Sequence, residues 1–357
     1  MLERNYSQVA FMPYAPIKES LQIGDYEVWP YYKESDKRIK QKAVIQQLNQ
    51  IFGRYFEQKY DIEKGGYEEP LEEIFIISPT NFEIGKSKFS EEQIKDISSL
   101  SHIIAFCSIN DSDLAFVSTS TDPFILYIQK FQVGSDGIRI GNRFFDTLDM
   151  VKFMKQYNLG TLFLKFEKTD LCDALGKALK FRNRPQIRRI FRSLELFYYT
   201  ASRSEMVTNE HRLLSLVMCF EVLLNFGGKK IKFAKKIERL LDNFEPTIEI
   251  RTFEVKKKDT IINKDVKCSK TGWWAFDLYN LRSKIVHGDE IDWNIEKYGN
   301  IWTRIEFGGI LLRKLIKKIL LQEELWQSNR VDSIIEADSL DEKLESIVND
   351  FKRVSFR

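Results

Sequence analysis

Residues 208–226 carry Leu213, Leu214, Leu216, Val217, Met218, Phe220, Val222, Leu223 and Leu224, apolar on most sides of a helix. A helix lying on a surface shows one apolar stripe and a polar remainder, so this one belongs at the centre of a helical bundle. Thr208 suits its N-cap, and Gly227-Gly228 offers a stop. Other segments with apolar residues at helical spacing flank it: 186–202 behind Pro185, which fits a first helical turn, then 231–244, 273–287, 300–326 and 339–354. From residue 184 the pattern predicts an all-α bundle over 184–325, followed by a helical extension over 326–357. Residues 245–271 interrupt the bundle as a Lys-rich insertion, with a β-hairpin expected on 248–255.

The first 175 residues follow a different pattern. Residues 1–30 read as irregular and aromatic-rich, with Pro13, Pro16 and Pro30 breaking any long element. A helix is expected over 36–60, with Val44, Ile45, Leu48, Ile51, Phe52 and Tyr55 on its apolar face. Short β-type runs follow at 73–78, 102–108, 114–118 and 124–131, bounded by turn-rich pieces at 110–113 and 134–137. Short helices near 91–100 and 147–157 and a strand over 161–166 complete an α+β domain.

The chain of 357 residues with 43% hydrophobic content is long enough for two compact domains. No apolar run approaches the ~20 residues of a membrane span, and the opening residues are too polar for a secretory signal. The four cysteines, Cys107, Cys172, Cys219 and Cys268, stand far apart without a Cys-x-x-Cys pair, so neither a disulfide framework nor a zinc site is expected. These features predict a soluble cytoplasmic protein. Its net charge of +3 hides an uneven distribution: residues 177–288 hold 24 Lys and Arg against 12 Asp and Glu, whereas residues 1–176 hold 20 against 26. A local excess of that size suits a polyanion.

The chemistry-bearing residues lie in the basic segment. The string Leu278-Tyr279-Asn280-Leu281-Arg282-Ser283-Lys284-Ile285-Val286-His287-Gly288 is a helix whose end is marked by Gly288. His287 falls in its last turn, beside the partial negative charge of the terminal carbonyls. Arg282 borders the apolar stripe and points toward a packed seam. A fixed cation beside a histidine meets the two needs of phosphodiester cleavage, charge stabilisation and proton transfer near neutral pH. Glu221 is the one acid in the middle of the apolar helix, and a buried carboxylate needs a cation; Arg282 is the expected partner. Lys229, Lys230 and Lys232, with Lys256, Lys257, Lys258 and Lys284, are candidates to grip a phosphate backbone, although a solvated face is the simpler account of such runs. His211 is expected to cap or sit on the surface, and His102 to be structural.

The string from Leu278 to Gly288, together with Cys219-Phe220-Glu221-Val222-Leu223, resembles the HEPN domain, and more narrowly its Apea-like group. Arg282, Ser283 and His287 match the family's order of Arg, polar residue and His, and the resemblance covers residues 184–325. It implies a metal-independent endoribonuclease without cofactor, working as a homodimer whose two Arg/His sets share one cleft. Cleavage through the 2′-hydroxyl would leave 2′,3′-cyclic phosphate and 5′-hydroxyl ends. His287 would move protons, Arg282 would stabilise the phosphate, Ser283 would hold either group and Glu221 would brace Arg282. Such proteins act in prokaryotic toxin–antitoxin or anti-phage defence, which implies RNA as substrate and an antitoxin or a phage-derived trigger as partner. The resemblance also allows a non-catalytic module for dimerisation or partner binding. A third reading is an RNA- or nucleotide-binding sensor in which residues 1–175 recognise a signal and the bundle transmits it; in the nuclease reading residues 1–175 would recognise the target or restrain the bundle.

Overall fold

The computed structural model describes residues 6–13, 17, 19–32, 38–56, 59–61, 66–68, 73–107, 126–132, 170–201, 207–241, 248–257, 260–291, 297–326 and 340–355. The chain divides into two compact units, Met1–Phe181 and Arg182–Arg357. An antiparallel-sheet unit is thus followed by a mostly helical one.

In the first unit, strands β1 (Tyr6–Met12), β2 (Leu21–Ile23), β3 (Tyr26–Tyr32), β6 (Glu73–Pro79) and β7 (Tyr127–Gln132) form one sheet in the order β2-β3-β6-β1-β7. Every pairing is antiparallel. Helix α1 (Lys42–Phe56) covers one face with Val44, Leu48 and Phe52, which meet Val9, Phe11, Trp29, Tyr31 and Ile76 in a common core. The Phe52 ring lies 4.7 Å from Phe11 and 5.3 Å from Tyr31. The alternate residues Ala10, Met12, Val28, Phe75 and Ile77 are buried as well, so both faces of the sheet are covered. A small hairpin, β4 (Lys59–Asp61) with β5 (Gly66–Glu68), lies between α1 and β6 in the chain, and Tyr60 therefore belongs to a strand rather than to the end of the helix.

Two expectations fail here. Among the described residues of 1–30, most lie in strands rather than irregular chain: Pro13 follows β1, and Pro30 sits inside β3 opposite Phe75. Strand β2 reaches β3 only as far as Val28, so a proline at position 30 costs no ladder bond on that side. Of the run 102–108, residues 102–107 are not a strand but the end of helix α2 (Glu91–Cys107), and 108 lies outside the described residues. Ser90 and Gln93 cap that helix reciprocally, Gln93 accepting from Ser90 N at 2.8 Å and Ser90 Oγ accepting from Gln93 N at 3.1 Å. Ile97, Leu100, Ile103, Ile104 and Cys107 then continue at helical spacing into the core. The expected elements at 114–118, 147–157 and 161–166, and the turns at 110–113 and 134–137, lie outside the described residues. Helix α3 (Asp170–Ala178) packs on the β2–β3 turn, where Gly24 takes φ +59° and a Cβ on Gly176 would come within 2.7 Å of Gly24 N.

The second unit holds α4 (Pro185–Ala201), α5 (Asn209–Leu223), α6 (Lys230–Leu240), the hairpin β8 (Ile248–Lys257) and β9 (Thr260–Ser269), then α7 (Lys270–His287), α8 (Ile301–Gln322) and α9 (Leu340–Ser355). The apolar α5 packs against α4, α7 and α8, with Leu213, Leu216, Val217, Cys219, Phe220 and Leu223 fully buried. Thr208 caps it by accepting from His211 N at 3.3 Å, while the exposed His211 ring lies 3.1 Å from the same hydroxyl. Its stop is not Gly227-Gly228. Asn225 adopts φ +48° and supplies the left-handed residue, with Phe226 N donating to Glu221 O at 2.8 Å and Asn225 N to Val222 O at 3.1 Å. All four cysteines are buried and none forms a disulfide. Among the described residues no helix is long and apolar enough to cross a membrane.

Candidate functional site

Helix α7 is held hard at one end and open at the other. At its start Ser269 Oγ accepts from Gly272 N at 2.9 Å and donates to Glu238 Oε1 at 2.8 Å, and Ser269 N donates to the same oxygen at 2.6 Å. Asp341, from the first turn of α9, accepts from Thr271 N at 2.8 Å, Thr271 Oγ1 at 2.7 Å and Lys270 N at 3.2 Å. Asp341 thus meets two unpaired N–H groups of the helix, Glu238 holds its N-cap, and both acids stand at its positive end. Lys270 pairs in turn with Glu345, and Lys235 with Glu238. A Cβ on Gly272 would lie 2.4 Å from Glu238 Oε1, so a larger residue there would displace that carboxylate from its place beside Ser269.

Along its middle, α7 carries the hairpin. Arg251 of β8 donates to both oxygens of Asp277 at 3.1 Å, reaches the Tyr298 hydroxyl at 3.3 Å, and stacks 4.2 Å from the Trp273 ring centroid. Trp273 Nε1 donates to Glu249 O at 3.0 Å. Burial, with Asp277 nearby, pushes the Tyr298 hydroxyl pKa well above the usual phenol range.

The C-terminal part of α7 carries Arg282, Ser283, Lys284 and His287. Gly288, at φ +79°, ends the helix: its N–H donates to Ile285 O at 3.0 Å and Asp289 N donates to Lys284 O at 2.9 Å. Tyr279 lies three residues before Arg282 and packs against Phe233 and Phe226 of the α5–α6 region, at 5.1 and 6.3 Å between ring centroids. Its hydroxyl donates to Gly228 O at 2.9 Å. The Arg282 guanidinium lies 5.6 Å from the centre of the Tyr279 ring. Burial and the Glu221 carboxylate raise the Tyr279 pKa, and Arg282 opposes them.

Glu221 and Arg282 do not pair with each other. Glu221 is only partly buried, so the full cost of an isolated interior carboxylate does not arise, and it lies by Tyr279 instead. Ser283 and Lys284 are partly buried, whereas Val286 and His287 are exposed. The Ser283 hydroxyl and the His287 ring make no hydrogen bond, and Arg282 no ion pair, among the described residues. Arg282 and His287 lie five positions apart, which on a helix at ~100° per residue separates their directions by about 140°. Arg282 and the exposed Val286, one turn apart, share a face.

Lys229, Lys230 and Lys232 are exposed at the start of α6, which packs along α7. Lys230 donates to Asn280 Oδ1 at 2.9 Å and lies 5.0 Å from the Phe276 ring centre, so this basic stretch is tied to the Arg282 helix. Lys256 and Lys257 fall in the last turn of pairing of β8, and Lys258 lies outside the described residues. His102, placed in α2, belongs to the other unit. Among the described residues no three His, Cys, Asp or Glu side chains gather as a metal cluster.

Sequence reasoning overlooked Tyr279 as the residue on which Glu221 and Arg282 converge, and it overlooked Glu238 and Asp341. Asp341 lies 70 residues from Thr271 in the chain, and nothing local announces the contact. No family model, curated protein or solved structure matches the chain.

Proposed function

We propose that the helical unit is a HEPN-type, metal-independent endoribonuclease acting as a homodimer. The observation that carries this is the open end of α7: Arg282 and His287 stand there, neither bound in an ion pair among the described residues, on a helix whose other end is saturated. A structural arginine and a capping histidine would be expected to spend their charge on the protein.

The substrate is RNA. One His287 imidazole takes the proton of the 2′-hydroxyl as that oxygen attacks the adjacent phosphorus, and a protonated imidazole gives a proton to the departing 5′-oxygen. Arg282 neutralises the charge that builds on the non-bridging oxygens. The products are a 2′,3′-cyclic phosphate and a 5′-hydroxyl. A base and an acid on opposite sides of the phosphorus call for two imidazoles, and each chain offers one in this motif. Pairing two copies supplies both, and the divergence of Arg282 from His287 on one helix favours a site shared between copies. Val286 and Met218, exposed apolar side chains of α7 and α5, are suited to such a contact. Lys229, Lys230 and Lys232 draw the RNA backbone along the flank of α7.

Incubation of the protein with mixed RNA in excess EDTA, followed by analysis of the new ends, tests the proposal. Cyclic-phosphate ends made by the wild type and not by His287→Ala are the expected result. Absence of cleavage in both would favour the alternative, a module that binds a partner without cutting RNA.

A further inference from the structure

The Arg282 side chain needs a support that the expected partner does not give. Glu221 makes no ion pair with it, and the partner that does approach, Tyr279, is itself anchored from several directions. The Tyr279 hydroxyl is tied to the Gly228 carbonyl at 2.9 Å. Its ring is wedged by Phe233 and Phe226, and the guanidinium rests 5.6 Å from its centre. Gly228 lies in the turn between α5 and α6, two residues before Lys230, which is bonded to Asn280 next to Tyr279. The Tyr279 phenol therefore joins the turn to the arginine, while the neighbouring Asn280 ties the start of the basic helix to the same helix.

We propose that Tyr279 is the positioning residue for Arg282, its ring the platform for the guanidinium and its hydroxyl the tether that fixes the platform to the α5–α6 turn. Glu221 acts one step further back, as a negative charge beside the phenol rather than as the partner of the arginine. The consequence for recognition is direct: a guanidinium lying on a ring keeps its outward N–H groups for a phosphate, whereas one paired to a carboxylate would surrender two of them. The inference deepens the ribonuclease reading and rests on it for the identity of the phosphate.

Two variants separate platform from tether. Tyr279→Phe keeps the ring and loses the hydroxyl; Tyr279→Leu loses both. Cleavage by Tyr279→Leu should fall ~10²-fold, near the loss caused by removing Arg282 itself, while Tyr279→Phe should stay within ~5-fold of wild type. A purely structural tyrosine would lower stability without this split, so unfolding midpoints are measured on the same samples. A second readout does not depend on any activity. In the full-length protein labelled with 15N-arginine, the Arg282 Nε–Hε resonance, assigned by its loss in Arg282→Lys, should carry a ring-current shift in wild type and Tyr279→Phe and lose it in Tyr279→Leu. An unchanged resonance in Tyr279→Leu overturns the proposal, as does wild-type cleavage by a folded Tyr279→Leu. If the wild-type protein cleaves no RNA, the ribonuclease reading fails, and the resonance alone decides where Arg282 is held.

Discussion

At its N-terminal end α7 gives the Lys270 and Thr271 N–H groups to Asp341 and the Gly272 N–H to the capping Ser269, which is itself held by Glu238, and Ser269, Thr271 and Gly272 are buried there. At its C-terminal end the same helix offers an arginine on an aromatic ring and an exposed histidine. The two ends differ in what their polar groups have left to give. Every hydrogen bond made at the first end fixes the position of the helix, and none of those groups remains for a ligand. The second end is held in place by the first, and there neither Arg282 nor His287 is in an ion pair among the described residues. This division, rigidity at one end and exposed polar groups at the other, suits the catalytic role proposed for the helix.

The contrast can be broken from either side. The largest effect is expected from Arg282→Ala, which should lower RNA cleavage by ~10²–10³-fold, measured as initial rate on a defined oligonucleotide, with little change in the urea midpoint. Asp341→Ala should do the reverse. Removing a buried carboxylate leaves the Thr271 N–H without its acceptor and should cost ~1–3 kcal/mol of stability, read by urea unfolding, with activity lost only as folded protein is lost. A charge-removing triple variant, Lys229→Ala with Lys230→Ala and Lys232→Ala, should weaken RNA binding and reduce the slope of log affinity against log salt by roughly 2, measured by fluorescence anisotropy across a salt series. Stability should remain near wild type because these side chains are exposed.

The smallest effect concerns pH. Tyr279 and Tyr298 both have pKa values raised in the folded protein, so folding favours their protonated forms. The stabilisation they give is complete below the ordinary phenol value near 10 and is lost as pH rises above it. Unfolding free energy should therefore hold steady across neutral pH and decline at the alkaline end. Glu221→Gln removes a charge that keeps the Tyr279 proton in place, so the phenolate of Tyr279, followed by difference absorbance against Tyr279→Phe, should appear at lower pH in that variant.

Much of the helical unit was legible because its signals are local. Thr208 before an apolar run, Gly288 after one, and Pro185 at a first turn each act within a few residues. The hairpin expected on 248–255 extends over Ile248–Lys257 and Thr260–Ser269 for the same reason, alternation along a strand. What was misread has identifiable physics. The apolar run 102–107 suits a buried strand or a buried helix equally, and only its continuity with Ile97 and Leu100 behind the Ser90 cap decides for the helix. Pro30 looked like a breaker because its neighbour strand could not be known to stop at Val28. Asn225 took the place at the end of α5 that Gly227-Gly228 seemed to claim, since asparagine also tolerates a left-handed conformation. The site divided along the same line. Arg282 and His287 were readable as a spacing, but the partner of Arg282 was assigned by charge, when the geometry gave it an aromatic neighbour three residues away.

The most direct test of the contrast uses His287→Ala and takes two measurements on one preparation, RNA cleavage in EDTA and unfolding free energy. The account predicts that cyclic-phosphate ends disappear, a loss of at least ~10²-fold, while stability stays within ~0.5 kcal/mol of wild type. Unaltered cleavage by a folded His287→Ala would contradict it, and so would a loss of activity that merely follows a loss of stability.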